Sequence, residues 1–461
     1  MARTGLRVSQ FQVKARGSGS AMEKSLDRKL AAIHADPGCR EFVIADAKDA
    51  DMALGLGAPG RSPEMHSGEV QFKTLEEYRD QMRLITRSGL VDIMLMSASS
   101  NHALAIHERL FANSPVTPAV RANDTTDIHL ARGATYHLEP SRPFRTASID
   151  HIQCGHMECA PHERTLGANL GLYSVTFNNN LERDLATLER FHDFREEAER
   201  KGFRYFLEIF DPNTPGAIAP ELLPGYINDM VTRMLAGVGP TGRPLFLKLV
   251  YHGAKAMEEL VRFDPHLVVG ILGGSAGTTR DAFQLLHDAQ KYGAKIALYG
   301  RKINNAENQL AFVHFLRLIV EGQIGPADAV KAYHAVLGRL GLRPHRTLDD
   351  DLQVTEQSMS YAGTPRSSVV VPGKEPRPAV AAGHSSASCR CHALPPAPQN
   401  GASGNCGCHG PVVTESNSSV SRYNHVFTNG SSASSNGRPD FAKMSPADRL
   451  AYHRQRLGLG R

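Results

Sequence analysis

The chain has 461 residues and a net charge of +5, too mild at this length to imply nucleic-acid binding by itself. Hydrophobic residues make up 41%, enough for a sizeable core, yet no run approaches the roughly 18 apolar residues of a membrane helix. The N-terminus lacks the apolar stretch of about 7–15 residues of a signal peptide, and seven cysteines in a chain this long do not suggest a disulfide scaffold; the expectation is a soluble, cytoplasmic protein.

Residues 1–20 are basic and Gly/Ser-rich and read as a flexible arm. From 21 to 345, apolar runs of strand length alternate with helical patterns. The strand runs are "FVIADA" (42–47), "VDIMLMS" (91–97), "VTPAVRA" (116–122), "NLGLYSVTF" (169–177), "RYFLEIF" (204–210), "LFLKLV" (245–250), "HLVVGIL" (266–272) and "KIALYG" (295–300). Several are continuously apolar, as strands buried on both faces must be. Helical patterns such as "KTLEEYRDQMRLITRSG" and "LERDLATLERFHDFREEAERKG" lie between them, with Gly89, Gly202 and Gly293 placed to close helices. Eight such units predict a (β/α)8 barrel. A doubly wound sheet fits less well, because no GxGxxG follows the first strand. Residues 123–165 are polar and His-rich and read as a long loop over the barrel mouth.

Composition changes near 345. Residues 346–440 are rich in Ser, Gly, Pro and Asn and bury too little to offset ordering entropy, which predicts a disordered linker. Residues 441–461 regain helix grammar, with Ser445 as N-cap, Pro446 at the first position, Asp448 at the capping-box position, and Leu450 and Leu457 on one face. A short amphipathic helix beyond a long linker suits a partner's groove.

Catalytic groups of a barrel project from the C-terminal ends of its strands. Lys248 stands alone in the apolar sixth run, where a lysine is either paired or used. Stripped of hydration, it can offer a free amine that attacks a ketone or aldehyde and forms a Schiff base. A lumen salt bridge or a point charge holding phosphate are the alternatives. After the seventh run, "LGGSAGTTRD" supplies Gly273, Gly274 and Ser275, with Thr278 or Thr279 able to cap the next helix; after the eighth, "LYGRKIN" supplies Gly300 and Arg301. Glycine turns in adjacent units beside an arginine predict a phosphate site.

The stretches "KLVYHGAKAMEELV", "VVGILGGSAGTTRDAFQLL" and "KIALYGRKINNAENQLAFVHFLRLIVEGQ" together resemble the C-terminal half of the DhnA/LacD-type class I aldolases, which include the archaeal-type fructose-bisphosphate aldolases. The resemblance implies that Lys248 forms the iminium and that Gly273, Gly274, Ser275, Gly300 and Arg301 hold the phosphate of a phosphorylated substrate. It implies no cofactor, a homo-oligomer, and Asp46 in "IADAKDADM" as counterpart of the family's strand-one aspartate. The chain departs from the pattern in three places. Ala47 stands for the strand-one histidine, no tyrosine follows strand five, and Lys302 replaces an asparagine. Glu208 and Asp211 in "YFLEIFDPN" are candidates for the missing acid–base group. Rival readings are an acyl-transferase or isomerase of the same family working without an iminium, and a non-catalytic phosphate-binding cargo or scaffold protein.

Two cysteine-bearing stretches remain. "HIQCGHMECAPHER" places His151, Cys154, His156, Cys159 and His162 at spacings that suit zinc or a His-rich loop over an anionic substrate. In the linker, "CRCH" and "CGCH" offer Cys389, Cys391, Cys406 and Cys408 as a four-ligand metal set or a redox-sensitive pair, although their Ser/Pro/Gly surroundings supply no outer shell, and reduced exposed thiols are the alternative. The 441–461 tail resembles the encapsulation peptides of enzymes packed into bacterial microcompartments, which implies a shell or other protein partner. Neither nucleic acid nor membrane is an expected partner.

Overall fold

The computed structural model describes residues 22–60, 72–274 and 277–355. Eight parallel strands close into a barrel: β1 (Val43–Lys48), β2 (Ile93–Met96), β3 (Thr117–Arg121), β4 (Leu170–Thr176), β5 (Arg204–Phe210), β6 (Leu247–Leu249), β7 (Val269–Leu272) and β8 (Ile296–Tyr299). The order is sequential and β1 pairs with both β2 and β8, so no edge is left open. This is the expected (β/α)8 barrel, each strand lying within its apolar run except β1, which extends one residue past it to Lys48. The longer helices are α1 (Ser25–Ala35), α2 (Leu75–Ser88), α3 (Ile149–Cys154), α4 (Leu181–Arg200), α5 (Leu223–Leu235), α6 (Ala254–Phe263), α7 (Thr279–Lys291), α8 (Gln309–Val320) and α9 (Pro326–Arg339). None is long and apolar enough to cross a membrane.

Period-two alternation sorts each strand into two faces. Val43, Ala45, Leu95, Leu172, Phe206 and Phe246 fill the lumen, and Leu26, Leu30 and Ile33 of α1 join that cluster, so α1 plugs the barrel floor. Ile44, Met94, Leu207, Leu249 and Tyr299 point the other way and pack beneath the helices. Burying each such side chain contributes about 1.5–3 kcal/mol. Local grammar fixes the helix ends. Thr74 and Glu77 form a reciprocal capping box at the start of α2, and Gly89 ends it in the left-handed region at φ +66°.

Two segments depart from expectation, and part of a third agrees with it. Residues 124–144 do cover the mouth: a two-residue ribbon pairs Asp124–Thr125 with Pro143–Phe144, Leu130 N donates to Ala53 O at 2.7 Å, and Asn213 Nδ2 donates to Glu139 O at 2.7 Å. The His-rich remainder does not lie over the mouth, because the chain must descend to the N-terminal rim to begin β4. Gln153 of α3 accordingly donates to Asn169 Oδ1 at 2.7 Å, just ahead of that strand. Cys154 and Cys159 are joined in a disulfide across this descending loop, whereas Cys39 is a free thiol.

The second departure concerns residues 346–355, expected to open the linker. They carry a short helix, Leu348–Asp351, strapped over the start of α7. Asp351 Oδ1 accepts from Thr279 N at 2.8 Å, and its other oxygen lies 2.9 Å from His334 Nε2. Thr355 N donates to Asp281 Oδ1 at 2.8 Å, and Thr278 Oγ1 donates to Gln353 O at 2.7 Å. The N-terminal arm 1–20, the linker from 356 with its cysteines Cys389, Cys391, Cys406 and Cys408, and the 441–461 tail lie outside the described residues.

Candidate active site

Strand parity sets the site. Leu247 and Leu249 face the helices, so Lys248 between them faces the lumen. Its neighbours in register are Glu208 on β5 and Gly270 on β7. Glu208 in turn lies in register with Ser174 on β4. Three adjacent strands therefore project a lysine, a carboxylate and a hydroxyl into one layer of the lumen.

Lys248 Nζ forms a close ion pair with Glu208 Oε1, both side chains being buried. Glu208 Oε2 accepts from Ser174 Oγ at 2.6 Å and from Arg121 Nη2 at 3.2 Å. Arg121, the last residue of β3, also donates through Nε to Asp49 Oδ2 at 2.5 Å and through Nη1 to Ser174 Oγ at 3.0 Å. The result is a continuous polar layer, Lys248–Glu208–Arg121–Asp49, at the C-terminal ends of the strands. Burial by itself would raise the Glu208 carboxyl, but the adjacent Lys248 and Arg121 charges outweigh it and hold the group below the ordinary carboxylate range. Asp124, 3.8 Å from Arg121 Nη1, behaves oppositely: burial pushes it up to about 6 against the pull of Arg121. A carboxyl titrating there is suited to proton transfer near neutral pH.

Asp211 follows β5 and lies 2.9 Å from Nε2 of His252, which follows β6; both side chains are largely buried. Asp211 Oδ2 is buried and makes no hydrogen bond. An apolar layer of Phe210, Val250, Leu272 and Ile128 caps this region, Ile128 coming from the segment over the mouth.

Asp46 is not brought into this layer. Its register partners are Tyr299 and Met94, both on the outer face, so its carboxylate points beneath the helices. There it forms a fully buried ion pair with Lys48 at 3.2 Å, and the Lys48 ammonium lies 5.9 Å from the centroid of the Tyr78 ring on α2. Burial raises the Asp46 carboxyl and lowers the Lys48 amine. The carboxylate that β1 delivers to the lumen mouth is Asp49. Arg121, Ser174, Asp49 and Asp124 were not singled out from sequence. Arg121 carries the same signal that marks Lys248, a lone cation in an apolar strand run.

The glycine turns lie side by side, as β7 and β8 are neighbours. Gly273 N donates to Leu298 O at 2.8 Å, so its amide is committed to the sheet. An added Cβ there would collide with the Tyr299 ring, which is why the position is glycine. Gly274 adopts φ +59°, and a Cβ at Gly300 would lie 2.8 Å from Ala47 O. Lys302 donates to Gly277 O at 2.8 Å and Thr278 O at 3.0 Å, tying the two turns together. Arg301 opens the short helix after β8, and Ser275 lies outside the described residues. The first donors of α7 already have carboxylate partners, Thr279 N on Asp351 and Thr278 N on Asp281 Oδ2. An anion bound here would rely on the remaining turn amides and on Arg301.

No protein-family model and no curated protein matches the chain. Solved barrels do. A Schiff-base-forming fructose-1,6-bisphosphate aldolase aligns with a TM-score of 0.44 at 16% identity, covering 63% of this chain and 99% of its own. An archaeal fructose 1,6-bisphosphate aldolase aligns at 0.44 and 14%, covering 64% and 99%. N-acetylneuraminate lyase from Fusobacterium nucleatum aligns at 0.34 and 11%, covering 65% and 82%.

Proposed function

We propose that the barrel is a class I aldolase-like lyase that forms an iminium at Lys248 with a phosphorylated keto compound. One observation carries this reading: a lysine amine in the lumen, at the catalytic end of the barrel, contacting a carboxylate that can take its proton. Attack of Nζ on a ketone carbonyl, followed by loss of water, gives the iminium. That group is an electron sink. Loss of the proton from a hydroxyl on the β carbon then breaks the Cα–Cβ bond, releasing an aldehyde and leaving an enamine, which reprotonation at Cα and hydrolysis return to a ketone and the free amine. Glu208, the carboxylate in contact with the amine, relays the proton the amine sheds. Asp211, with an oxygen free of hydrogen bonds and His252 beside it, is placed for the hydroxyl proton. Gly274, Gly300 and Arg301 are assigned to the phosphate, together with Gly273 and Ser275 of the same sequence motif.

The ion pair itself favours a second reading. A lysine held by Glu208, with Arg121 behind it, can serve as a fixed cation for an anionic substrate in an isomerisation without an iminium. Borohydride reduction with a panel of phosphorylated ketoses, followed by peptide mapping, separates the two. The aldolase reading expects substrate-dependent mass on the Lys248 peptide and none in Lys248→Met. Turnover without trapped mass selects the second reading.

A further inference from the structure

The descending loop after α3 gathers donor atoms that the barrel chemistry does not use. Cys154 is the last residue of α3. Gly155 follows at φ +89°, where a Cβ would lie 2.7 Å from Nδ1 of His102, so the chain turns sharply under a constraint that only glycine meets. Glu158 is also left-handed, at φ +60°, and turns the chain again so that Cys159 returns to Cys154. Their Cα atoms are 5.9 Å apart. The two tight turns coil residues 154–163 so that Cys154 Sγ, a ring nitrogen of His156 and a carboxylate oxygen of Glu163 lie within 4.8 Å of one another, with Cys159 Sγ bonded to the first.

The orientation of these groups is set by outer contacts. His156 Nδ1 lies 2.8 Å from Met157 O, so in the neutral ring that nitrogen carries the hydrogen and Nε2 presents its lone pair. Nε2 faces Glu163 Oε1 at 3.2 Å. The other oxygen of Glu163 accepts from Ala160 N at 2.8 Å, leaving Oε1 directed at the cluster. Both sulfurs are buried, whereas His156 is 53% exposed and opens the cluster to solvent.

We propose that this loop, once its disulfide is reduced, is a zinc site with Cys154, Cys159, His156 and Glu163 as its four ligands. Two thiolates, one imidazole and one carboxylate form a tetrahedral donor set, and a Cys-x4-Cys separation lies within the usual range for such sites. With bonds of about 2.0–2.3 Å, tetrahedral donors sit roughly 3.3–3.8 Å apart, so closing the cluster on a metal needs side-chain adjustment and no refolding. The redox step balances with a dithiol as reductant: thiol–disulfide exchange yields two protein thiols and the oxidised dithiol. Zinc then displaces the two thiol protons. The oxidised loop cannot bind in this way, because each sulfur is already bonded to the other. Disulfide and metal are thus alternative closures of one coil. The site lies toward the N-terminal rim, on the side of the barrel remote from the Lys248 layer.

The test uses the full chain with Cys389, Cys391, Cys406 and Cys408 changed to serine, so that the linker cannot contribute metal ligands. The protein is reduced with dithiothreitol, freed of it anaerobically, and titrated with cobalt(II) and then zinc. One equivalent of cobalt should bind with thiolate-to-metal charge-transfer absorption, and one equivalent of zinc should bleach it. The unreduced protein should take up none. Cys154→Ser and Cys159→Ser should abolish the charge-transfer band. His156→Ala and Glu163→Gln alter partly exposed side chains and should keep the native circular dichroism while weakening the metal at least about tenfold. Absence of cobalt or zinc uptake by the reduced chain overturns the site. Uptake that His156→Ala and Glu163→Gln both leave unchanged equally overturns the four-ligand assignment.

Discussion

Lys248 and Glu208 form a buried pair whose two members differ in what they keep when the other is lost. In Lys248→Met, Glu208 retains Arg121 Nη2 at 3.2 Å and Ser174 Oγ at 2.6 Å. In Glu208→Gln, a buried ammonium loses its carboxylate, and Arg121 loses one of its two close carboxylate partners. Removing one member of a buried pair costs about 3–5 kcal/mol when the survivor is stranded. Glu208→Gln should fall in that range, on the order of 10 °C in midpoint for a domain of this size. Lys248→Met should cost about 1–2 kcal/mol, since its survivor remains hydrogen-bonded. The double variant should be less damaging than the sum of the singles, with a coupling of roughly 2–3 kcal/mol. Urea unfolding followed by far-ultraviolet circular dichroism measures all four corners of the cycle. Equal costs for the two singles, or strict additivity, would refute the pairing on which the proposed proton transfer depends.

Three further outcomes are expected. Asp124 titrates at about 6 in the fold against an ordinary 3.8, so the folded chain holds its proton more tightly and stability falls as pH rises from about 4 to 6; the difference corresponds to roughly 3 kcal/mol, and Asp124→Asn should flatten that part of the stability–pH curve. Replacing the outward pair by apolar groups, Asp46→Leu with Lys48→Met, should leave reductive labelling of Lys248 intact, whereas lost labelling would return Asp46 to the chemistry. A chain ended after residue 345 loses Asp351 and its bond to Thr279 N and should be about 1–2 kcal/mol weaker than one ended after residue 355, as differential scanning calorimetry would report.

The barrel was legible because strands covered on both faces must be apolar throughout, and eight such runs stand out between helical patterns. Lys248 was legible for the complementary reason, a charge where apolar residues are required. Glu208 followed from its place in the neighbouring run. Asp46 was misplaced because matching a motif along β1 ignores parity: Ala45 and Ala47 share the inner face, so Asp46 and Lys48 cannot. Asp49 and Asp124 lie just past strand ends, where alternation no longer says which way a side chain points. The strap at 347–355 was hidden by composition. Its hold on α7 comes from individual hydrogen bonds of Asp351, Gln353 and Thr355, which leave no trace in average hydrophobicity.

The plug formed by α1 closes the barrel floor: Leu26, Leu30 and Ile33 are seated among the lumen residues. Among the described residues, the opposite rim is where residues 124–144 bridge the loops after β1 and β5. Under the proposed function a substrate meets that bridge before it meets the amine, and exchanging residues 125–144 between related barrels would alter preference for substrate size while leaving Lys248, Glu208 and Asp124 in place.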